Sequence, residues 1–205
     1  MKTAIDTFNN WAHKNKDEGM EKNHSYSVNK MLELIPPKVL SNNFSFIDIG
    51  CGNGWVVKKI RDYINCTKSV GIDGAEKMIQ KAIKSDKQSN YYQLDIETMD
   101  YKDQFDIVFS MEVFYYFKDP VYVLNYIYKN ILKKGGCMLL GIDHYLENKD
   151  SLSWGKDLEL GLQTLSIEMW KSNLINTGFK NIQLYQFGAK ENWSGTLVFY
   201  CEKMD

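Results

Sequence analysis

The residues of this chain best suited to chemistry are acids and glycines at the ends of apolar runs. Phe44, Phe46, Ile47 and Ile49 flank Asp48, and the run stops at Gly50, Gly52 and Gly54. A second run, Ser69 to Ile72, ends in Asp73, and a third, Asn90 to Leu94, ends in Asp95. Glycines that end a buried strand permit a tight turn and let a ligand approach the main chain without meeting a Cβ. The free amides of the helix that follows favour a negative or strongly polar group. This pattern points to a nucleotide-like ligand, with Asp73 at the distance where an acid accepts hydrogen bonds from both ribose hydroxyls. The glycine spacing, G-x-G-x-G, departs from the G-x-G-x-x-G of dinucleotide enzymes, so a nicotinamide-dependent dehydrogenase is disfavoured.

Those residues need a scaffold that brings strand ends together. Val28, Met31, Leu32 and Ile35 repeat at helical spacing and Pro36-Pro37 stops them. Val56, Val57, Ile60 and Ile64 mark a helix after the glycine turn, and Ala75, Met78, Ile79, Ala82 and Ile83 mark another. Phe105 to Phe109 reads as a strand buried on both faces. Asp119-Pro120 starts a helix through Val123, Leu124, Ile127 and Ile131, which Lys133, Lys134 and Gly135 are expected to close. A fifth strand, Cys137 to Ile142, leads into a polar connection over residues 143–165. Ser166 caps a helix that Gly178 ends, and strands near Asn181–Phe187 and Thr196–Glu202 close the chain. Alternating strands and helices imply parallel pairing with ligands at the carboxyl edge of the sheet. Residues 1–25 show no core periodicity and are read either as a lid or as a solvated arm.

Taken in order, Asp48-Ile49-Gly50-Cys51-Gly52-Asn53-Gly54, Gly71-Ile72-Asp73, Leu94-Asp95-Ile96, Phe105 to Ser110, and Leu132 to Gly136 resemble the motifs of class I S-adenosylmethionine-dependent methyltransferases. The resemblance covers nearly the whole chain. It implies an α/β, Rossmann-like, doubly wound sheet of seven strands, mostly parallel with an antiparallel last strand and helices on both faces, forming one domain over residues 1–205. It implies S-adenosyl-L-methionine as cofactor. Gly50, Cys51, Gly52 and Gly54 would line its methionine and ribose portion, with Asp48 near the amino group and Asp73 on the ribose. Asp95 and the Ile96 amide would meet the adenine, walled by Gly74 or Ala75 with Met78, and Ser110 or Phe109 would offer a carbonyl. For Met78 plain packing is as good a reading as ligand contact.

The acceptor side is read from the loops. Ser110 to Phe117 lacks the Asn/Asp-Pro-Pro-Tyr/Phe of enzymes that methylate planar nitrogens, which argues against nucleic-acid bases as acceptors. Glu112 and Tyr116 suit a cationic acceptor, and His144 is a candidate general base or else a histidine bonded to its loop. No metal is expected, although Asp143 leaves magnesium open. At 205 residues and a net charge of −1, with scattered rather than clustered basic residues, the chain carries no footprint for nucleic acid or an anionic membrane. No apolar stretch reads as a membrane span or a secretory leader, and the widely spaced Cys51, Cys66, Cys137 and Cys201 form no zinc or disulfide pattern. The expectation is a cytosolic methyltransferase acting on a small polar molecule. A protein methyltransferase that docks its substrate on residues 143–165, and a non-catalytic cofactor-binding subunit, are the alternatives.

Overall fold

The computed structural model describes residues 3–204. Seven strands, β1 (Phe44–Ile49), β2 (Cys66–Asp73), β3 (Asn90–Gln93), β4 (Phe105–Met111), β5 (Leu132–Ile142), β6 (Lys180–Phe187) and β7 (Thr196–Glu202), form one sheet in the order β3-β2-β1-β4-β5-β7-β6. β7 runs antiparallel between β5 and β6, and the remaining pairs are parallel. Strand order reverses between β1 and β4, which opens a crevice outside their carboxyl ends.

The helices are α1 (Ala4–His13), α2 (Met20–Glu33), α3 (Pro37–Leu40), α4 (Trp55–Arg61), α5 (Glu76–Ser85), α6 (Pro120–Tyr126), α7 (Trp154–Leu158) and α8 (Ile167–Thr177). Side-chain alternation along the strands feeds two cores. On one face Ile47, Ile49, Met138, Leu140 and Phe199 pack with Leu124, Trp170 and Leu174 of α6 and α8. On the other, Phe44, Phe46, Ile107, Phe109 and Leu139 pack with Val28, Met31, Val57 and Ile60 of α2 and α4.

Several expectations shift. Ile64 is 97% exposed, because α4 ends at Arg61 and residues 62–65 turn the chain into β2. α6 is not closed by Lys133 and Gly135. It widens into a π-helical turn over Ile127–Ile131, and the chain is extended by Leu132, which already pairs with Phe105. Lys133 instead pairs with Asp106 at 2.8 Å. The connection after β5 is less solvated than its composition suggests. Asp143, His144, Tyr145, Asn148 and Ser151 are all buried. Residues 4–25 are helical rather than irregular, with Ile5, Phe8 and Ala12 at i, i+3 and i+7 turned toward the body of the domain.

The glycine turn is braced from below. Gly54 has φ +81°, and a Cβ there would lie 2.7 Å from Tyr91 Cε1 and 2.8 Å from Ala82 Cβ. The Tyr91 hydroxyl donates toward the Gly54 carbonyl at 3.3 Å and the buried Asp86 carboxylate at 3.0 Å. Gly135 has a similar φ, +73°, with nothing within 4 Å of an added Cβ. Gly54→Ala is therefore expected to lose roughly 2–4 kcal/mol in urea unfolding, against about 1 kcal/mol for Gly135→Ala, which meets backbone strain alone. Equal losses would show that packing at Gly54 contributes nothing.

Candidate functional site

The carboxyl ends of β1, β2, β4 and β5 converge. At β1 the amides of Gly50 and Cys51 both donate to the Ile72 carbonyl, at 2.7 and 3.0 Å. One Asp73 carboxylate oxygen accepts from the Gly52 amide at 2.9 Å, the other from the Ala75 amide at 2.7 Å. Asp73 thus ties the glycine turn to the start of α5. Burial pushes its pKa up, against those two amides, which favour the charged form. Each oxygen keeps a further lone pair for a ligand hydroxyl.

Asp48 is buried, and its carboxylate has no hydrogen-bond partner among the described residues. Burial first, and then the nearby Asp73, push its pKa well above the usual carboxylate range. An acid so placed asks for a donor such as an amino group. Side-chain ends lie over the glycine backbone. An added Cβ would meet Val113 at Gly50, Met20 Cε at Gly52 and Ile5 at Gly74. A ligand reaching these glycines displaces flexible tips rather than main chain. The residues present thus fit S-adenosylmethionine: Asp48 is an acid unpaired among the described residues where the cofactor's amino group would need an acceptor, and Asp73 keeps lone pairs that ribose hydroxyls would fill.

The other predicted residues have more local roles. Cys51 fills space against Gly71, where an added Cβ would lie 2.7 Å from its sulfur. Gly54 serves packing against Tyr91 and Ala82. Ser110 Oγ donates to the Ile49 carbonyl at 2.7 Å, joining β4 to β1 at the reversal point. Asp95 is exposed and accepts from the Glu97 amide at 3.1 Å, as a turn acid does, while Ile96 is buried in the core. Met78 packs with Ala12 and Ala75 beneath Phe8, Trp11 and Met20.

On the acceptor side, Glu112 holds φ +63°, an uncommon conformation for a residue with a side chain. Its carboxylate accepts from the Asp143 amide and from the Tyr115 hydroxyl, the latter at 2.6 Å. Tyr116 lies tilted beside Tyr115 with ring centroids 4.4 Å apart, and Phe8 of α1 sits edge-on to it at 5.2 Å. Burial raises the pKa of Glu112 well above normal, with the Asp143 charge acting the same way. It also raises Asp143, opposed by Thr196 and His24.

His144 packs its ring against Tyr115, with centroids 5.4 Å apart, but turns neither nitrogen to the acids. Its Nδ1 donates to the Ser151 carbonyl at 2.9 Å, and its Nε2 meets the Thr164 hydroxyl at 2.8 Å. Both nitrogens hold the 143–165 connection together. The histidine that reaches the acids is His24 of α2, with Nδ1 3.9 Å from Asp143 Oδ2. The sequence carried a signal for it, since His24, Val28, Met31 and Ile35 share one helical stripe. A second unforeseen group latches the N-terminal helices down. Buried Asp17 accepts from Lys81 of α5 at 2.6 Å and from Asn53 of the glycine turn at 3.2 Å.

The fold and the glycine-and-acid edge define a class I, S-adenosylmethionine-dependent methyltransferase. Residues 40–181 match the family model described as a methyltransferase domain, and the chain belongs to that family. Its sequence is 32% identical over 117 residues to the tRNA U34 carboxymethyltransferase of Actinobacillus succinogenes, covering 54% of this chain and 36% of that protein. It is 27% identical over 171 residues to the malonyl-[acyl-carrier protein] O-methyltransferase of Brevibacillus brevis, covering 76% and 61%. The chain thus spans less than two thirds of either relative. Its fold is similar to a Haloferax volcanii methyltransferase solved in complex with the Trm112 methyltransferase activator, with TM-score 0.85, 23% identity and full coverage of both chains. It is also similar to the N-methyltransferase NodS of Bradyrhizobium japonicum in complex with S-adenosyl-L-homocysteine, with TM-score 0.69, 18% identity and 88% coverage of each.

Replacing Asp73 with Asn removes one acceptor and the charge. Calorimetric titration is expected to show affinity for S-adenosylhomocysteine falling about tenfold to a hundredfold. Unchanged affinity would remove Asp73 from the cofactor site.

Proposed function

We propose that this chain catalyses transfer of a methyl group from S-adenosylmethionine to a small polar acceptor held among Glu112, Tyr116 and Asp143. When bound, the cofactor would supply an electrophilic methyl carbon, to which an acceptor lone pair bonds in line as the C–S bond breaks and its electron pair leaves on sulfur. Asp48 holds the cofactor's amino group and Asp73 its ribose, while the acceptor residues orient the nucleophile and the N-terminal helices exclude water. The observation that carries this reading is the roof. Phe8 lies on Tyr116, Met20 on Gly52 and Ile5 on Gly74, so the polar groups are enclosed beneath α1 and α2 instead of lying along an open groove.

Such enclosure favours a small molecule over a polymer, and the near-neutral net charge of −1 gives a nucleic acid little electrostatic pull. His144 acts in this reading by shaping the 143–165 connection. The free state of all four cysteines supports a cytosolic site, and no helix among the described residues is long and apolar enough to cross a membrane.

A second reading follows from the match to the malonyl-[acyl-carrier protein] O-methyltransferase, which extends over 76% of this chain. There the acceptor would be a carboxylate presented on a carrier protein. The fold neighbour's complex with an activator likewise makes a partner subunit a specific possibility to test.

Incubation of the purified chain with methyl-labelled S-adenosylmethionine and a metabolite extract is expected to label a small-molecule fraction. Label confined to protein supports the carrier reading, and label in RNA overturns the small-acceptor reading. Cofactor binding without any label points to a missing partner. Glu112→Gln is expected to lower kcat/KM by about tenfold to a hundredfold. His144→Gln should chiefly lower the unfolding midpoint, and a larger fall in kcat/KM than for Glu112→Gln would restore His144 as the base.

A further inference from the structure

Glu112 and Asp143 form a carboxylate pair that the rest of the chain leaves without a cation. The Asp143 amide donates to Glu112, so the two acids are locked side by side. Among the described residues neither has a Lys or Arg partner, and the one basic group near either is His24. Asp143 is 5% exposed, and its Oδ1 accepts no hydrogen bond. A buried carboxylate oxygen without a donor is costly unless a ligand completes it. Its other oxygen faces His24, while the neighbouring Thr196 hydroxyl is paired with Ser27 at 2.7 Å.

The walls suit an organic cation. The half-buried ring of Tyr116 lies beside the pair, and Tyr115 directs its hydroxyl to Glu112, leaving the second lone pairs of that carboxylate free. Among the described residues no three His, Cys, Asp or Glu side chains converge as metal ligands. The His24 side chain is 28% exposed, which connects the pair to solvent.

We propose that the acceptor group is an aliphatic amine, bound as its ammonium ion by Asp143 and Glu112, and that His24 removes the proton that must leave before the nitrogen can react. This inference rests on the small-acceptor reading above and names the substrate class of that same site. An ammonium has no lone pair. One N–H bond breaks, its electrons stay on nitrogen as the nucleophilic pair, and the proton passes by way of the Asp143 carboxylate to Nδ1 of His24, which lies 3.9 Å from Oδ2. Asp143 stabilises the imidazolium until His24 releases the proton through its exposed edge. Burial lowers the pKa of His24 more than Asp143 raises it, so the ring is free to accept a proton at neutral pH. The groups facing it are Asp143 and, beyond that, Glu112, Tyr115 and Tyr116, whose phenols burial keeps protonated.

The experiment titrates the full chain, saturated with S-adenosylhomocysteine, with two matched pairs, propylamine against propanol and benzylamine against benzyl alcohol. Calorimetry is run in buffers of different ionisation heat. At least one amine is expected to bind about tenfold or more tighter than its alcohol, with proton exchange on binding. Asp143→Asn and Glu112→Gln should each erase that preference while retaining S-adenosylhomocysteine affinity. His24→Gln should keep the preference but remove one titrating group from the acid limb of the pH profile of turnover. The absence of amine preference in both pairs, or a preference that survives both carboxylate substitutions, overturns the proposal. So does a labelled small product methylated on oxygen or carbon, which would leave the small-acceptor reading standing. Label found only in a polymer would remove both.

Discussion

The carboxylate of Asp73 is the interaction on which the site depends. Its two oxygens bind the Gly52 and Ala75 amides, so one side chain holds the end of β1, the end of β2 and the first turn of α5 in a single arrangement. An acid suits the position because both partners are main-chain N–H donors, which bond a charged oxygen more strongly than a neutral one. Its burial opposes ionisation, and the two amides offset part of that penalty. Asp48, one strand over, enjoys no such compensation. The same crevice thus holds one acid bonded to two main-chain amides and one with no partner among the described residues.

The N-terminal helices extend this logic across the edge of the sheet. Their grip on the domain combines apolar contact, through Phe8, Trp11, Ala12 and Met20, with a polar latch in which Asp17 joins Lys81 to Asn53. Asn9 adds a hydrogen bond to the Lys77 amide at the start of α5, at 2.9 Å. α5 therefore meets Asp73 at one end and the N-terminal helices along its length. Cofactor edge and roof share a common support, and α2 then delivers His24 to the acids at the ends of β4 and β5. The group of Glu112, Asp143 and His24 is assembled from segments far apart in sequence, while the glycine-and-acid edge comes from consecutive strand–turn–helix units.

That division explains what could be read from the residues. Each cofactor motif is local. Gly50, Gly52 and Gly54 follow an apolar run, Asp73 ends the next, and the reach of a turn is enough to predict the hydrogen-bonding groups. Asp119 and Ser166 as helix caps and Gly178 as a helix stop are equally local, and the structure shows them as such. Asp95 has the right place in the motif order, yet its carboxylate is exposed and bonded to its own turn, a distinction that depends on how residues 94–99 pack. His144 follows a strand at the functional edge, and only the return of Ser151 and Thr164 to its ring shows that its nitrogens are already used.

By itself the amino-acid sequence determined the fold class, the edge of the sheet where the glycines and acids gather, and the cofactor class, because these follow from periodicity and from contacts between near neighbours. The pairing of Glu112 with Asp143, the approach of His24 from a helix more than a hundred residues earlier, and the roof formed by Ile5, Phe8 and Met20 were decided by tertiary packing. Long-range contacts carry no period and no spacing rule. They exist only once two cores have formed on opposite faces of the sheet and fixed which loops meet above it.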